Sequence, residues 1–411
     1  IGSGLVGSEM CIRDSNRIVK EAKANPRDNY LVIVPEQFTM QTQRQLVDLS
    51  ENKAIMNIDV LSFKRLAYRV FDELGITNLT VLEETGKNLV LRKLAAQEAD
   101  KLGVIGRNLN RIGYISEVKS LLSELVQYNI SPEELGRYIA SGRLSDTLSD
   151  KLKDVLVLYE AFEKFMQDKY ITAEEILNVL SNVAEESAIL RNSVIAFDEF
   201  TGFTPIQNQL IKKLFVISKK IYVTLTIDCR EDIFKSRGMQ ELFDMPKRTV
   251  KSLTEMAAFY GIEVEEPIIL DKNYRLAENE ELSFMEQQLF RKRRCSFKKA
   301  PKHIHIDCLR DPKQELTKIA RRINELVRNE NLRYRDIAIV TGDVNIYAGY
   351  VREIFDKYNI PYFIDATQEI LFHPFIEFIR SIPDIATQNF SADAVFRFLR
   401  CGFRELFGYA I

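Results

Sequence analysis

The sequence predicts an α/β protein with two parallel-sheet domains, the first interrupted by a block of helices. Three observations carry this. Short apolar runs lead into helical patterns twice near the amino end. Residues 82–188 repeat apolar positions every three to four residues, and regular strand–helix alternation resumes after residue 303. A chain of 411 residues with 46% hydrophobic content also has the material for more than one core.

In chain order, Ile18, Val19 and Ala22 mark the end of an amphipathic helix, and the stretch from Pro26 to Asn29 is a turn. Leu31 to Val34 reads as a buried strand closed by Pro35, and Phe38, Leu46 and Leu49 give the helix that follows. Ile58 to Leu61 is a second strand running into a helix from Ser62 to Leu74, which makes a doubly wound sheet the expectation for residues 16–81. The helical insertion is placed at 82–188. The sheet domain resumes at 189–290, with a strand from Val194 to Phe197, a helix from Gln207 to Phe215, a strand from Ile221 to Ile227 and a strand-like Ile268 to Leu270. Residues 291–302 carry the strongest charge cluster, Arg291 to Lys299, read as a solvated linker. The second domain, 303–371, alternates strands at 304–308, 337–340 and 362–364 with helices from Gln314 to Val327 and from Tyr347 to Tyr358. Residues 372–411 begin a further helical insertion.

A formal net charge of −2 gives no global signature of nucleic-acid binding, so any such contact must be local. Five cysteines without a CxxC pair fit a reducing, cytoplasmic setting better than a disulfide framework. No apolar run approaches the roughly 20 residues that span a bilayer, so no membrane is expected as a partner. Residues 1–15 lack apolar periodicity and resemble translated sequencing-adaptor DNA, so they are expected to be a non-native tail, with native sequence missing upstream of Asn16.

The run from Ser193 to Phe200 carries four apolar residues into adjacent carboxylates, Asp198 and Glu199. A buried strand ending this way delivers a Mg²⁺-binding acid and a water-orienting acid to a nucleotide site. An Asp at such a junction also caps helices. The expected companion, Gly-x-x-x-x-Gly-Lys-Ser/Thr, occurs nowhere in the chain, so no cofactor-binding loop is assigned. His303, His305 and Cys308 alternate too closely along one segment to close a tetrahedral metal site.

Val34-Pro35-Glu36-Gln37, Leu61-Ser62-Phe63-Lys64-Arg65-Leu66-Ala67, Asp198 to Pro205, Ile360 to Asp365 and Phe372-His373-Pro374, in this order and spacing, resemble the AddB subunit of the bacterial AddAB (RexAB-like) helicase-nuclease. The resemblance runs from about Asn16 to Phe403. It implies a superfamily 1 helicase fold of two RecA-like domains, each with an insertion, and ATP with Mg²⁺ as cofactors of the intact protein. Asp198 and Glu199 fall at the Walker B position, with Asp198 towards Mg²⁺. The family places its Gly-Lys-Thr loop just before Asn16, where this chain has adaptor-like sequence, and its Gly-Asp-x-x-Gln element is reduced here to Asp228. Ser62, Phe63, Lys64 and Arg65 fall where such motors touch single-stranded DNA, with Phe63 stacking on a base. Gln37, Thr39 and Gln41 offer hydrogen bonds to the sugar-phosphate chain. The implied function is processing of double-strand breaks for recombinational repair, with Chi recognition, single-stranded and broken double-stranded DNA as ligands, and an AddA-type helicase subunit as partner. The nuclease region and its iron-sulphur cluster are expected beyond this chain, and the fragment is expected to be inactive alone. The competing expectations are a working DNA-dependent ATPase whose phosphate loop is missing from this chain, and a non-catalytic scaffold.

Overall fold

The computed structural model describes residues 9–402 apart from 78–79, 105, 107–112, 143, 168, 229, 271–275, 292–294, 366–369 and 371–372, with side chains from residue 16 on. The chain divides into two compact units, Ile1–Ile304 and His305–Ile411.

Helix α1 (Glu9–Ala24) precedes β1 (Asn29–Ile33), α2 (Thr39–Leu49), β2 (Ile58–Leu61) and α3 (Phe63–Leu74). Part of α1 therefore falls within the stretch 1–15 that the sequence sets apart. A two-residue strand β3 (Val81–Leu82) opens onto α4 (Glu84–Gln97), α5 (Tyr114–Gln127), α6 (Pro132–Ala140) and α7 (Asp146–Met166). The chain then returns through β4 (Ile171–Thr172), α8 (Ile176–Val183) and α9 (Ala188–Arg191) to β5 (Ser193–Phe197), α10 (Pro205–Ile217) and β6 (Lys220–Val223). Helices α11 (Asp244–Phe259) and α12 (Glu280–Gln288) complete the first unit.

The sheet has the order β2-β1-β5-β6 and is parallel throughout. Because side chains alternate across a strand, the two faces of β1 and β5 feed two different cores. Leu31, Ile33, Ile195 and Phe197 pack with Leu66 and Val70 of α3, Leu180 of α8 and Leu210 of α10. Tyr30, Val32, Val194 and Ala196 pack with Ile18 and Ala22 of α1 and Leu46 of α2. Burial on both faces is why these strands read as unbroken apolar runs rather than alternating ones.

Strands β3 and β4 pair in parallel, Val81 with Ile171 and Leu82 with Thr172, and so bring together the ends of the helical block. Helices α4, α5 and α7 bury Leu91, Val118, Leu122, Leu158 and Phe162 in a core of their own. Helices α8 and α9, still within 82–188 at their start, pack instead into the core under the sheet through Ile176, Leu180 and Leu190. Helix starts follow their caps: Ser131 with Glu134 boxes α6, and Thr204 with Gln207 boxes α10, each ahead of a proline.

The second unit contains α13 (Pro312–Asn329), α14 (Val344–Lys357), α15 (Pro374–Thr387) and α16 (Ala392–Arg400). The first pair of helices buries Leu316, Ala320, Ile323, Ile354 and Phe355. In the second pair, the rings of Phe378 and Phe398 stack at 5.1 Å. Here the sequence expectation is not met. Segments 304–308, 337–340 and 362–364 are not strands, and the described residues of this unit contain no sheet. Ile306, Val340 and Phe363 stand 94%, 93% and 89% exposed, without the hydrogen-bonded neighbour that a strand requires. In the first unit, β6 stops at Val223 rather than Ile227, and Ile268 to Leu270 form no strand. Residues 1–8, 292–294 of the basic run and 403–411 lie outside the described residues.

Candidate nucleic-acid interface at the carboxyl edge of the sheet

The connection from β1 runs to β2 on one side, whereas β5 lies on the other side of β1. The carboxyl ends of β1 and β5 therefore flank a topological switch point, where open parallel sheets form their ligand crevice. Asp198 stands there, buried, with its backbone N–H donating to the Ile33 carbonyl at 3.0 Å. Its Oδ1 accepts a hydrogen bond from the hydroxyl of Thr224, just past β6. The helix that follows is capped by Thr204, so Asp198 is not the cap of α10. Glu199 adopts φ 63°, a left-handed conformation that turns the chain out of the strand. Beyond it, Gly202 lies against α11: a Cβ there would meet Met245 Cγ and Thr249 Oγ1 at 3.2 Å each.

At the end of β2, Ser62 caps α3, its Oγ accepting from the Arg65 N–H at 3.3 Å. The same hydroxyl donates to Glu36 Oε2, and Arg65 Nε donates to Glu36 Oε1 at 3.0 Å. Glu36 begins a short 3₁₀ turn after β1 and so reaches across to the β2–α3 junction. Gln37, Gln41 and Lys64 are exposed at the same strand ends, and Arg65, Tyr68 and Arg69 continue an exposed stripe along α3.

Three of the residues expected to touch DNA do not offer themselves: Ser62 is buried, its hydroxyl already engaged by Glu36 and the Arg65 N–H, and Phe63 and Thr39 are buried as well. Phe63 is 7% exposed, its ring 5.8 Å from Phe197, 5.5 Å from Phe200 and 6.4 Å from Phe203. It is part of the core, with no face for a base. Thr39 is buried and its hydroxyl donates to the Glu36 carbonyl at 3.0 Å, which steadies the turn instead. Glu36, Thr224 and Tyr68 join this edge without any motif in the sequence that assigns them a contact there. For Tyr68 a signal existed, since it sits one turn beyond Lys64 and Arg65.

Asp228 lies further along the same side and is buried. Burial opposes its charge, but hydrogen bonds from Arg230 and the nearby Arg291 guanidinium outweigh that and hold its pKa below the ordinary aspartate value. Arg230 reaches it at 2.9 Å and Arg291 at 2.5 Å. Arg291 also lies over the Phe243 ring at 5.6 Å, so the first residue of the expected solvated linker is packed, not solvated. Next to it, the buried Lys247 pairs with Glu231 at 2.6 Å and Glu241 at 3.2 Å. With both arginines on it, Asp228 is committed to this ion-pair network.

For a metal, the donor set is small. Among the described residues, no group of three or more His, Cys, Asp and Glu is arranged to hold an ion. Asp198 offers a single carboxylate contact to Mg²⁺, and the other acid fixed at this edge, Glu36 in the turn after β1, is held by Ser62 and Arg65. Asp198 and its neighbours therefore do not fit a nucleotide triphosphate by themselves.

The fold and edge define a parallel α/β protein with a topological switch point between β1 and β5 and a buried aspartate, Asp198, at the end of β5. Residues 3–286 match the family described as ADDB, N-terminal, and the chain belongs to that family. It is 38% identical over 394 residues to the B subunit of the ATP-dependent helicase/deoxyribonuclease of Lachnoclostridium phytofermentans, covering 95% of this chain and 34% of that protein. The proteins of the same description from Clostridium acetobutylicum and Clostridium tetani are 33% and 32% identical, each over 98% of this chain. The chain spans about a third of the length of these relatives, which it covers at 34 to 35%.

Proposed function

We propose that this chain is the helicase-like part of an AddB-type protein, its first unit a RecA-like domain, and that it holds single-stranded DNA along the carboxyl edge of its sheet during double-strand break processing. Its partner in this reading is an AddA-type helicase subunit in the cytoplasm, and Chi recognition is the sequence-specific form of the same binding. The carrying observation is convergence: exposed Gln37, Lys64 and Arg65, from separate strand ends, share one edge with Asp198 at the switch point. Lys64 and Arg65 supply cations for phosphates, exposed Gln37 and Gln41 supply amides, and Tyr68 replaces Phe63 as the ring available for stacking. ATP with Mg²⁺ would take its metal contact from Asp198. The reading assigns this chain DNA binding along that edge.

The test is fluorescence anisotropy with a labelled oligothymidylate at several salt concentrations. A Lys64→Ala/Arg65→Ala double variant is expected to bind severalfold more weakly, with the salt dependence shallower by about 1.4 in log–log slope. Unchanged affinity in the double variant would instead support a scaffold without DNA contact.

A further inference from the structure

We propose that Glu36 is a built-in competitor for nucleic-acid phosphate, its carboxylate occupying the hydrogen-bond donors that a phosphodiester oxygen would take. The inference rests on the DNA-binding reading of this edge and goes further, naming the group that DNA must displace.

The geometry is that of a bound anion. One carboxylate oxygen accepts from the Ser62 hydroxyl and the other from Arg65 Nε at 3.0 Å. An arginine fork and a serine hydroxyl at the start of a helix recognise carboxylate and phosphate through the same donors, because both anions present paired oxygens. Glu36 is not there by chance rotation of a loose side chain. Pro35 precedes it at φ −54°, the Phe38 N–H closes the turn on the Pro35 carbonyl at 2.9 Å, and the Thr39 hydroxyl holds the Glu36 carbonyl. The turn after β1 thus delivers a carboxylate to the cation of α3.

The exposures decide how strong the competition is. Glu36 and Arg65 side chains are 57% and 52% exposed, so the pair is open to water and to an incoming strand. A solvent-exposed pair of this kind is weak, and a phosphate displaces it readily. Once displaced, the carboxylate remains beside the phosphate and repels it. Glu36 therefore loosens the grip on this phosphate without abolishing it, whereas the neighbouring exposed Lys64 grips without that constraint.

The test is a double-variant cycle on the full chain with labelled oligothymidylate. Glu36→Gln keeps the shape and removes the charge. It is expected to tighten binding about two- to fivefold, the factor equivalent to one exposed ion pair, and to steepen the salt dependence by about 0.7 in log–log slope. In an Arg65→Ala background the gain should vanish. Equal or weaker binding by folded Glu36→Gln, while the Lys64→Ala/Arg65→Ala variant is weakened, overturns the inference and leaves the DNA-binding reading standing. A gain that persists without Arg65 also overturns it, since the effect is then one of net charge. Absence of binding by every protein, wild type included, removes both. If Glu36→Gln melts below the wild type, Glu36→Asp, too short to reach both donors, carries the same test with a smaller gain.

Discussion

Phe63 sits where β2 hands over to α3, and its ring closes a cluster with Phe197, Phe200 and Phe203 rather than facing solvent. Truncating such a ring leaves a cavity that the rigid sheet edge cannot fill. Phe63→Ala should cost about 3–5 kcal/mol in urea denaturation, and Phe63→Leu much less. A Phe63→Leu variant that unfolds normally yet loses oligothymidylate affinity as fully as Lys64→Ala/Arg65→Ala would return Phe63 to the DNA surface. Glu199 is a second residue whose backbone speaks for it. At φ 63° a side chain crowds the following carbonyl, and a β-branched one does so most. Glu199→Val should lose about 1–2 kcal/mol relative to Glu199→Gly in thermal denaturation. Equal stabilities for the two variants would show that the left-handed turn is not populated.

The helical block between β3 and β4 depends on one buried cation. Lys87 of α4 is 2.7 Å from Glu174 and 2.9 Å from Glu84. Burial opposes its charge, yet the hydrogen bonds to Glu174 and Glu84 outweigh that and raise its pKa. Glu174 is likewise opposed by burial and held low by Lys87. The lysine's contribution is therefore complete below the ordinary lysine pKa and lost as pH rises through its higher folded value. The glutamate's contribution is present above the ordinary carboxylate pKa and lost as pH falls through its lower folded value. Guanidinium midpoints should be flat around neutrality and drop at both extremes. Lys87→Met alone should lose about 3–5 kcal/mol by stranding Glu174, and Lys87→Met/Glu174→Leu should recover much of it; a double variant no better than the single one would argue against the pairing. Ile58 to Leu61 and Val194 to Phe197 are legible in the sequence as strands from their unbroken apolar runs. What spacing cannot encode is contact between distant segments. Glu36 meets Ser62 and Arg65 from 26 and 29 residues away, and Thr224 meets Asp198 from 26. Periodicity also overreached in the second unit, where apolar runs at 337–340 and 362–364 carry the strand pattern but meet no neighbouring strand.

At the scale of the whole chain, stability is divided unevenly. The first unit holds the clusters on both faces of the sheet and the separate core of the helical block. The second relies chiefly on Leu316, Ala320, Ile323, Ile354, Phe355 and Ile360, while Ile306, Val340 and Phe363 remain in water. Less apolar surface removed from solvent means a lower local unfolding free energy, so the units should open separately rather than together. Hydrogen exchange in increasing urea tests this directly. Amides of α13 and α14 should exchange at concentrations where those of β1 and β5 are still protected, because the latter are buried on both faces. Acid should sharpen the contrast within the first unit. Asp228, held below the ordinary aspartate pKa, contributes above that value and loses its contribution as pH falls through the lower folded one, releasing Arg230 and Arg291. The segment at residue 291 should then exchange before the strands do. Simultaneous exchange of α13, α14, β1 and β5 at one urea concentration would mean that the chain unfolds as a single cooperative body, and that the small core of the second unit is stabilised by more than its own buried residues.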